Sequence, residues 1–333
     1  MKKIPLIRAG LTFLLGVLYI EASTSKAEML LVANKGDKTV SLVDPTSEMQ
    51  IAKIAENAVT AHELIASPDG KLAYVPIYGN SGVGKPGTDG QLIRIMDLES
   101  RSIVGTIDFG KGIRPHCPLF GPKDGLLYVT TELQQSVTVI DPKTLAIIGS
   151  IPTGKNESHM LVLSHDGHRG YTANVRSGTI SVLNLDKRTL EQVVQVAPVI
   201  QRIAVTMDDR FIITADQTAL RLAVIDAETL KIVKSVALPG LAYGTAVTPD
   251  GKSLVVAIPG AQKAGLVDLA TMRLIKTLPM PKSPQEVLVR PDGLVAYVSC
   301  DSSAQVAEID LEHFTLKKLI KVGAGDDGLA WVK

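Results

Sequence analysis

Aromatic residues are scarce. Phe, Trp and Tyr make up 4% of the 333 residues, with a single Trp, while hydrophobic residues in all reach 45%. A large core must therefore come from Val, Ile, Leu and Ala. Cysteine is nearly absent too: Cys117 and Cys300 fall on different strands of different repeat units, so no disulfide is expected, and a free thiol in an exported protein would be notable. Charge is balanced at 35 Lys+Arg against 34 Asp+Glu, with no basic block, which removes the positive footprint that nucleic-acid binding requires. Beyond the N-terminus no segment has the length or apolarity of a membrane span. The chain also lacks a Cys-x-x-Cys-His haem-attachment motif, a serine nucleophile elbow and a Gly-x-Gly-x-x-Gly fingerprint after a strand. Covalent c-type haem, α/β-hydrolase chemistry and dinucleotide chemistry thus have no motif. A non-covalent redox cofactor stays open.

What is present begins with a leader pattern. Lys2, Lys3 and Arg8 precede an apolar run over residues 9–20, and Ser25-Lys26-Ala27 sets small residues at a cleavage position. Residues 1–27 are expected to be a signal peptide, with an uncleaved anchor as the alternative, and residues 28–333 the periplasmic or secreted domain.

A turn then recurs along the chain. It reads Ser67-Pro68-Asp69-Gly70, Pro122-Lys123-Asp124-Gly125, Ser164-His165-Asp166-Gly167, Thr206-Met207-Asp208-Asp209, Thr248-Pro249-Asp250-Gly251 and Arg290-Pro291-Asp292-Gly293. From Asp124 onward the aspartates recur every 42 residues, whereas Asp69 to Asp124 spans 55, which places an insertion in the first unit. Pro presets φ and Gly accepts positive φ, so the turn is tight. A second motif, an alternating run ending in an acid or amide, occupies 40–44, 92–97, 137–141, 180–184, 222–226, 264–268 and 306–310. Short alternating runs between turns read as strands. The segment after residue 28 matches a second strand, and its missing first strand is Gly328-Leu329-Ala330-Trp331-Val332 at the other end. The expected fold is all-β: a seven-bladed β-propeller whose last blade is closed by strands from both termini, leaving no open edge.

Tyr128-Val129-Thr130-Thr131, Tyr171-Thr172-Ala173-Asn174, Tyr74-Val75-Pro76 and Tyr297-Val298-Ser299, with the Pro-Asp-Gly turns, make the chain resemble the YVTN-repeat β-propeller family over nearly all of residues 28–333. The resemblance implies the fold, and related seven-bladed propellers include lactonases, muconate cyclases, haem- and quinone-linked periplasmic proteins and proteins with no known activity, so it does not choose a function.

Counting back from each turn aligns one position on the seven first strands: His62, His116, His159, Gln201, Tyr243, Gln285 and Asp327. Three of the six histidines share this position on consecutive blades. A metal site on His62, His116 and His159 is the expectation, copper or zinc foremost, with Gln201, Tyr243, Gln285 and Asp327 as further ligand-binding residues at the channel mouth. The same imidazoles would equally serve as hydrogen-bonded caps between blades. Arg114, Arg202 and Glu286 lie beside the ring and are the candidates for an enzyme, metal-dependent or lactonase-like: Glu286 as base, either arginine as anion clamp. Cys117, next to His116, is read as packing rather than ligation. The Gly-rich insertion, residues 79–91, lacks Walker spacing and reads as a lid or a disordered loop on the ring face. A third class is a scaffold docking another exported protein of a redox system. A monomer is expected.

Overall fold

Each repeat becomes one antiparallel four-stranded sheet. The structure, a computed structural model, describes Met1 and residues 28–333; the expected signal peptide and its cleavage site lie outside the described residues. Among these, 28 strands form seven four-stranded sheets. Six are continuous in sequence, and the seventh pairs Asp326–Val332 with Met29–Asn34 in front of Thr39–Asp44 and Met49–Ala55. The expected clasp from both termini is therefore present. Blade 1 is the sheet that contains Leu72–Gly79, and the clasp blade is blade 7.

The repeated turn chemistry sets this register. Ser67 Oγ, Ser164 Oγ, Thr206 Oγ1 and Thr248 Oγ1 each donate at 2.6 Å to the turn aspartate two residues on. The acid or amide ending each third strand accepts a following backbone N–H, as Asp44 does from Thr46 at 2.8 Å and Asp226 does from Thr229 at 2.8 Å. These are Asx turns, in which the side chain imitates a backbone turn. The short polar groups hold the hairpins, so few aromatics are needed.

Burial follows strand position. Second and third strands are covered on both faces by neighbouring blades, as in Leu127–Thr131 and Ser136–Ile140, where every residue is buried. Outer strands such as Ser102–Asp108 alternate toward solvent. The first strands contact one another in order round the axis, except that blade 2 meets blade 1 through Leu72–Gly79. Each is the inner edge of its sheet, which is why Pro115, Pro118 and Pro284 are tolerated there despite lacking an N–H. Among the described residues no helix is long and apolar enough to cross a membrane. Cys117 and Cys300 are both free and buried, as expected.

Candidate functional site

The inner strands are not regular where the aligned ring sits. Pairing with the second strand slips between Pro115 and Pro118, Ser158 and Met160, Gln201 and Ile203, and Pro284 and Val287. A bulge of this kind sets two residues opposite one and re-aims side chains. Two consecutive positions therefore serve the hub: the ring itself, and the next residue on each blade. At that next position blades 5 and 7 carry Gly244 and Gly328. A Cβ on Gly244 would lie 2.2 Å from Gln285 O, and one on Gly328 2.6 Å from His62 O, so the following blade's backbone occupies the place of a side chain.

The first layer contains the aligned histidines, and the structure brings them together. The His116 and His159 rings stack at 3.6 Å with a 29° tilt, and His62 meets His116 edge-on at 5.7 Å. Tyr78 packs against all three, at 4.6 Å from His62, 5.0 Å from His116 and 5.4 Å from His159. Its hydroxyl donates to Glu132 Oε2 at 2.7 Å, and the same oxygen lies 3.1 Å from His159 Nδ1. Burial raises the Tyr78 hydroxyl and the Glu132 carboxylate raises it further. Burial holds His62 down at about 4, and His116 well below its usual range with His159 and His62 adding to the effect. Among the described residues His116 Nδ1 is buried without a hydrogen-bond partner.

As placed, the three imidazoles of the expected metal site do not converge on one point. Lone pairs of imidazole lie in the ring plane, and two planes stacked this closely cannot both direct a nitrogen to one ion about 2 Å away. Asp327, the fourth candidate, is engaged by Lys35 Nζ at 3.0 Å and Arg202 Nη2 at 3.2 Å. Among the described residues no group of three or more His, Cys, Asp or Glu is placed to hold a metal ion.

The second layer is ionic. Arg202, buried on blade 4, sends Nη1 to Glu63 Oε1 and against Glu286 Oε2, the latter outside hydrogen-bond alignment, and Nη2 to Asp327. The Tyr243 ring lies 5.0 Å from its Cζ, and Tyr243 accepts from Gln201 Nε2 at 3.2 Å. Gln285 turns aside to Ser283 Oγ at 3.1 Å. Burial drives the Glu63 carboxyl up to about 8 against the pull of Arg202, with Glu286 and Asp327 adding to the rise. Burial raises Glu286 as well. Asp327 goes the other way: burial would raise it, but Lys35, Arg202 and His62 hold it low.

These contacts place the three catalytic candidates. Arg202 faces three carboxylates and Glu286 faces Arg202, so neither is a free clamp or base. Arg114 is apart from them: its Nε donates to Asp89 Oδ1 at 2.6 Å, Nη2 to Lys85 O at 2.7 Å and Nη1 to Glu132 Oε1 at 3.3 Å. It is a strut that ties the insertion to blade 2. Arg176 Nη1 holds Gly84 O at 3.3 Å from blade 3, so the insertion is anchored at two points on the ring face.

Past the ionic layer the channel widens toward the turns between first and second strands. A cavity of about 630 Å³ opens there, and all seven blades line it. Leu119, Val162, Val247 and Leu288 are among its walls; Glu63, Glu286, Cys117 and Met160 lie at its inner end, beside Arg202; His165 and Lys333 line it from the turn side. Cys117 packs as expected, its Sγ 3.5 Å from Leu161 O, and burial lifts the thiol to about 12, which leaves it unreactive. The aligned ring did not include Glu63, Lys35, Tyr78 or Glu132. Lys35 and Glu132 sit just after the second strands of their blades, as Asp301 does, so aligning that position would have found them.

Comparison with known proteins agrees on the architecture. The chain is similar over residues 121–271 to the Cytochrome D1 heme domain family. No curated protein sequence matches it. Among solved structures it resembles hydrazine synthase of Kuenenia stuttgartiensis, with a TM-score of 0.74 and 18% identity over 85% of this chain and 92% of that one. It also resembles a functionally unknown protein of Desulfotomaculum acetoxidans, with a TM-score of 0.75 and 11% identity over 91% and 98% of the two chains. Identities this low speak for the fold alone.

Proposed function

We propose that this protein is an exported β-propeller that binds a small organic ligand in the wide end of its central channel. One observation carries the reading: a cavity of about 630 Å³, walled by all seven blades and ended inward by a buried charged layer. Cavities of roughly 300–1,000 Å³ that are mostly apolar with a few convergent polar groups are the usual form of a small-molecule site. The leader pattern of the sequence supports export.

Haem, suggested by the name of the similar family, does not suit these residues. Its carboxylate side chains call for cationic partners. The inner end of this cavity presents Glu63 and Glu286, and the basic side chains lining it are His165 and Lys333. At the other end the three histidine rings and Tyr78 are in mutual contact, which leaves no gap for a macrocycle. A metal ion on the histidine cluster would require the stacked pair to separate.

The test is calorimetric screening of small organic molecules against the protein and against a Val162→Trp/Val247→Trp variant that fills the channel. Ligands should stabilise the native protein and lose affinity for the filled one. Equal binding to both would remove the channel from consideration. Elemental analysis of the protein beside a His62→Ala/His116→Ala/His159→Ala variant is expected to find no metal in either. Stoichiometric metal confined to the native chain would restore the metal reading.

A further inference from the structure

Resting on the channel reading above, we propose that the ligand is an organic cation, an amine or quaternary ammonium with a short apolar body, whose charge is seated on Glu63 and Glu286. The geometry of the inner end argues for it. Glu63 is 6% exposed, and its Oε1 is taken by Arg202. Glu63 lines the cavity, its Oε2 lies against Gly328 of blade 7, and Glu286 Oε2 is buried without a hydrogen bond among the described residues. Nearby, among the described residues, Arg202 and Lys35 are the cations paired with this layer, and they face Glu63, Glu286 and Asp327 and the more exposed Asp301. Lys35 is spent on the two aspartates. Arg202 alone then meets Glu63 and Glu286 and also shares Asp327.

A surplus of buried carboxylates is costly, and it is relieved by a proton or by another cation. For Glu63 a proton does this: burial drives the carboxyl up, and Glu286 and Asp327 add to the rise. A cation entering from the wide end would meet the same carboxyl groups, which line the cavity's inner end. The exchange balances: the ligand's positive charge comes to rest on the Glu63 carboxylate, and the proton of Glu63 leaves to solvent. Titratable and charged groups around Glu63 are Arg202, Glu286, Asp327, Tyr243 and Cys117, and burial keeps Tyr243 and the thiol neutral at pH 7. The rest of the ligand meets hydrocarbon, with the Met160 thioether beside the acids as a soft, polarisable contact. An anion would meet the carboxylates directly.

Three probes of one chain length separate the possibilities: hexyltrimethylammonium, 1-hexanol and hexanoate, titrated calorimetrically into the full chain in two buffers of different ionisation heat. The ammonium should bind on the order of tenfold more tightly than the alcohol, and hexanoate least. Ammonium affinity should rise with pH, by at most about tenfold per unit, and level off above pH 8, with the buffers reporting the released proton. In a Glu63→Gln/Glu286→Gln variant the preference for the ammonium should vanish; if that variant does not fold, the pH slope of the native protein remains decisive. Alcohol and hexanoate binding as well as the ammonium would overturn the cation while leaving the channel site standing. No binding by any of the three, together with failure of the wider screen, would remove both.

Discussion

The two ends of the central channel are made by the same seven strands, yet one is filled and the other is hollow. At the ring end, side chains satisfy one another: Tyr78 with Glu132, Glu132 with His159, Arg202 with three carboxylates. At the turn end the inner-strand residues are mostly aliphatic, and the two aromatics among them, Phe120 and Trp331, pack against Tyr74 and Tyr297 rather than across the axis. The contrast shows how a repeat protein differentiates. The ring position and its neighbour carry most of the polar chemistry, and the residues that follow on the same strands are mostly apolar. Polar groups close a channel by pairing at fixed distances, whereas small apolar ones line it and leave it open.

Substitutions at one end can break this comparison. The largest effect should come from Arg202→Met, which leaves Glu63, Glu286 and Asp327 buried without their shared cation. Urea unfolding at pH 7 should show a loss of about 3–5 kcal/mol. A loss under about 1 kcal/mol would mean that the ionic layer does not hold the closed end. Arg114→Ala should cost less, about 1–3 kcal/mol, because Glu132 keeps Tyr78 and His159. Limited proteolysis should then cut within residues 80–88, while calorimetry at the wide end stays as in the native chain. A variant loop as resistant as the native one would show that Arg114 does not anchor it.

The pH response sharpens the contrast further. The folded chain keeps the Glu63 proton up to about 8, whereas the unfolded chain releases it near 4.3. Between those values the unfolded state binds fewer protons, so this group's stabilisation is complete in acid and is lost as pH rises through about 8. Asp327, held low, contributes in the opposite sense and loses its share as pH falls. Glu63→Gln should gain stability relative to the native chain from pH 5 to pH 8, by about 1 kcal/mol or more. Parallel stability curves would place the titration elsewhere. Least of all should change with His116→Phe. Its Nδ1 has no hydrogen-bond partner among the described residues, so a phenyl ring in the same stack should shift stability by less than about 1 kcal/mol. A loss of several kcal/mol would reveal a contact at that nitrogen.

Much of the hub was legible in the chain. Counting from the turn aspartates identified His62, His116 and His159 as neighbours, and they are; the same count brought Gln201 beside Tyr243. What alignment could not supply is orientation. A shared column says that side chains reach the same level of the axis, not that their nitrogens converge, and the ring stacking that separates the two is set by Tyr78 from another strand. The column of Arg114 adjoins the ring, which makes it a candidate clamp; the insertion's Asp89 and Lys85, which engage it, are not part of that column. The insertion itself was recognised by its interrupted spacing, and its attachment was not.

Period, turn chemistry and the closing of the last blade from both termini follow from short-range patterns: an aspartate that binds a backbone N–H two or three residues on does so wherever the chain places it. Seven such units with one missing first strand can close in one way only. The charge state of the hub is different in kind. Glu63 and Arg202 lie 139 residues apart and meet only after the ring has closed, so the rise of one carboxyl and the fall of Asp327 are properties of the assembled axis. Burial sets those shifts, and burial exists only when all seven blades are in place.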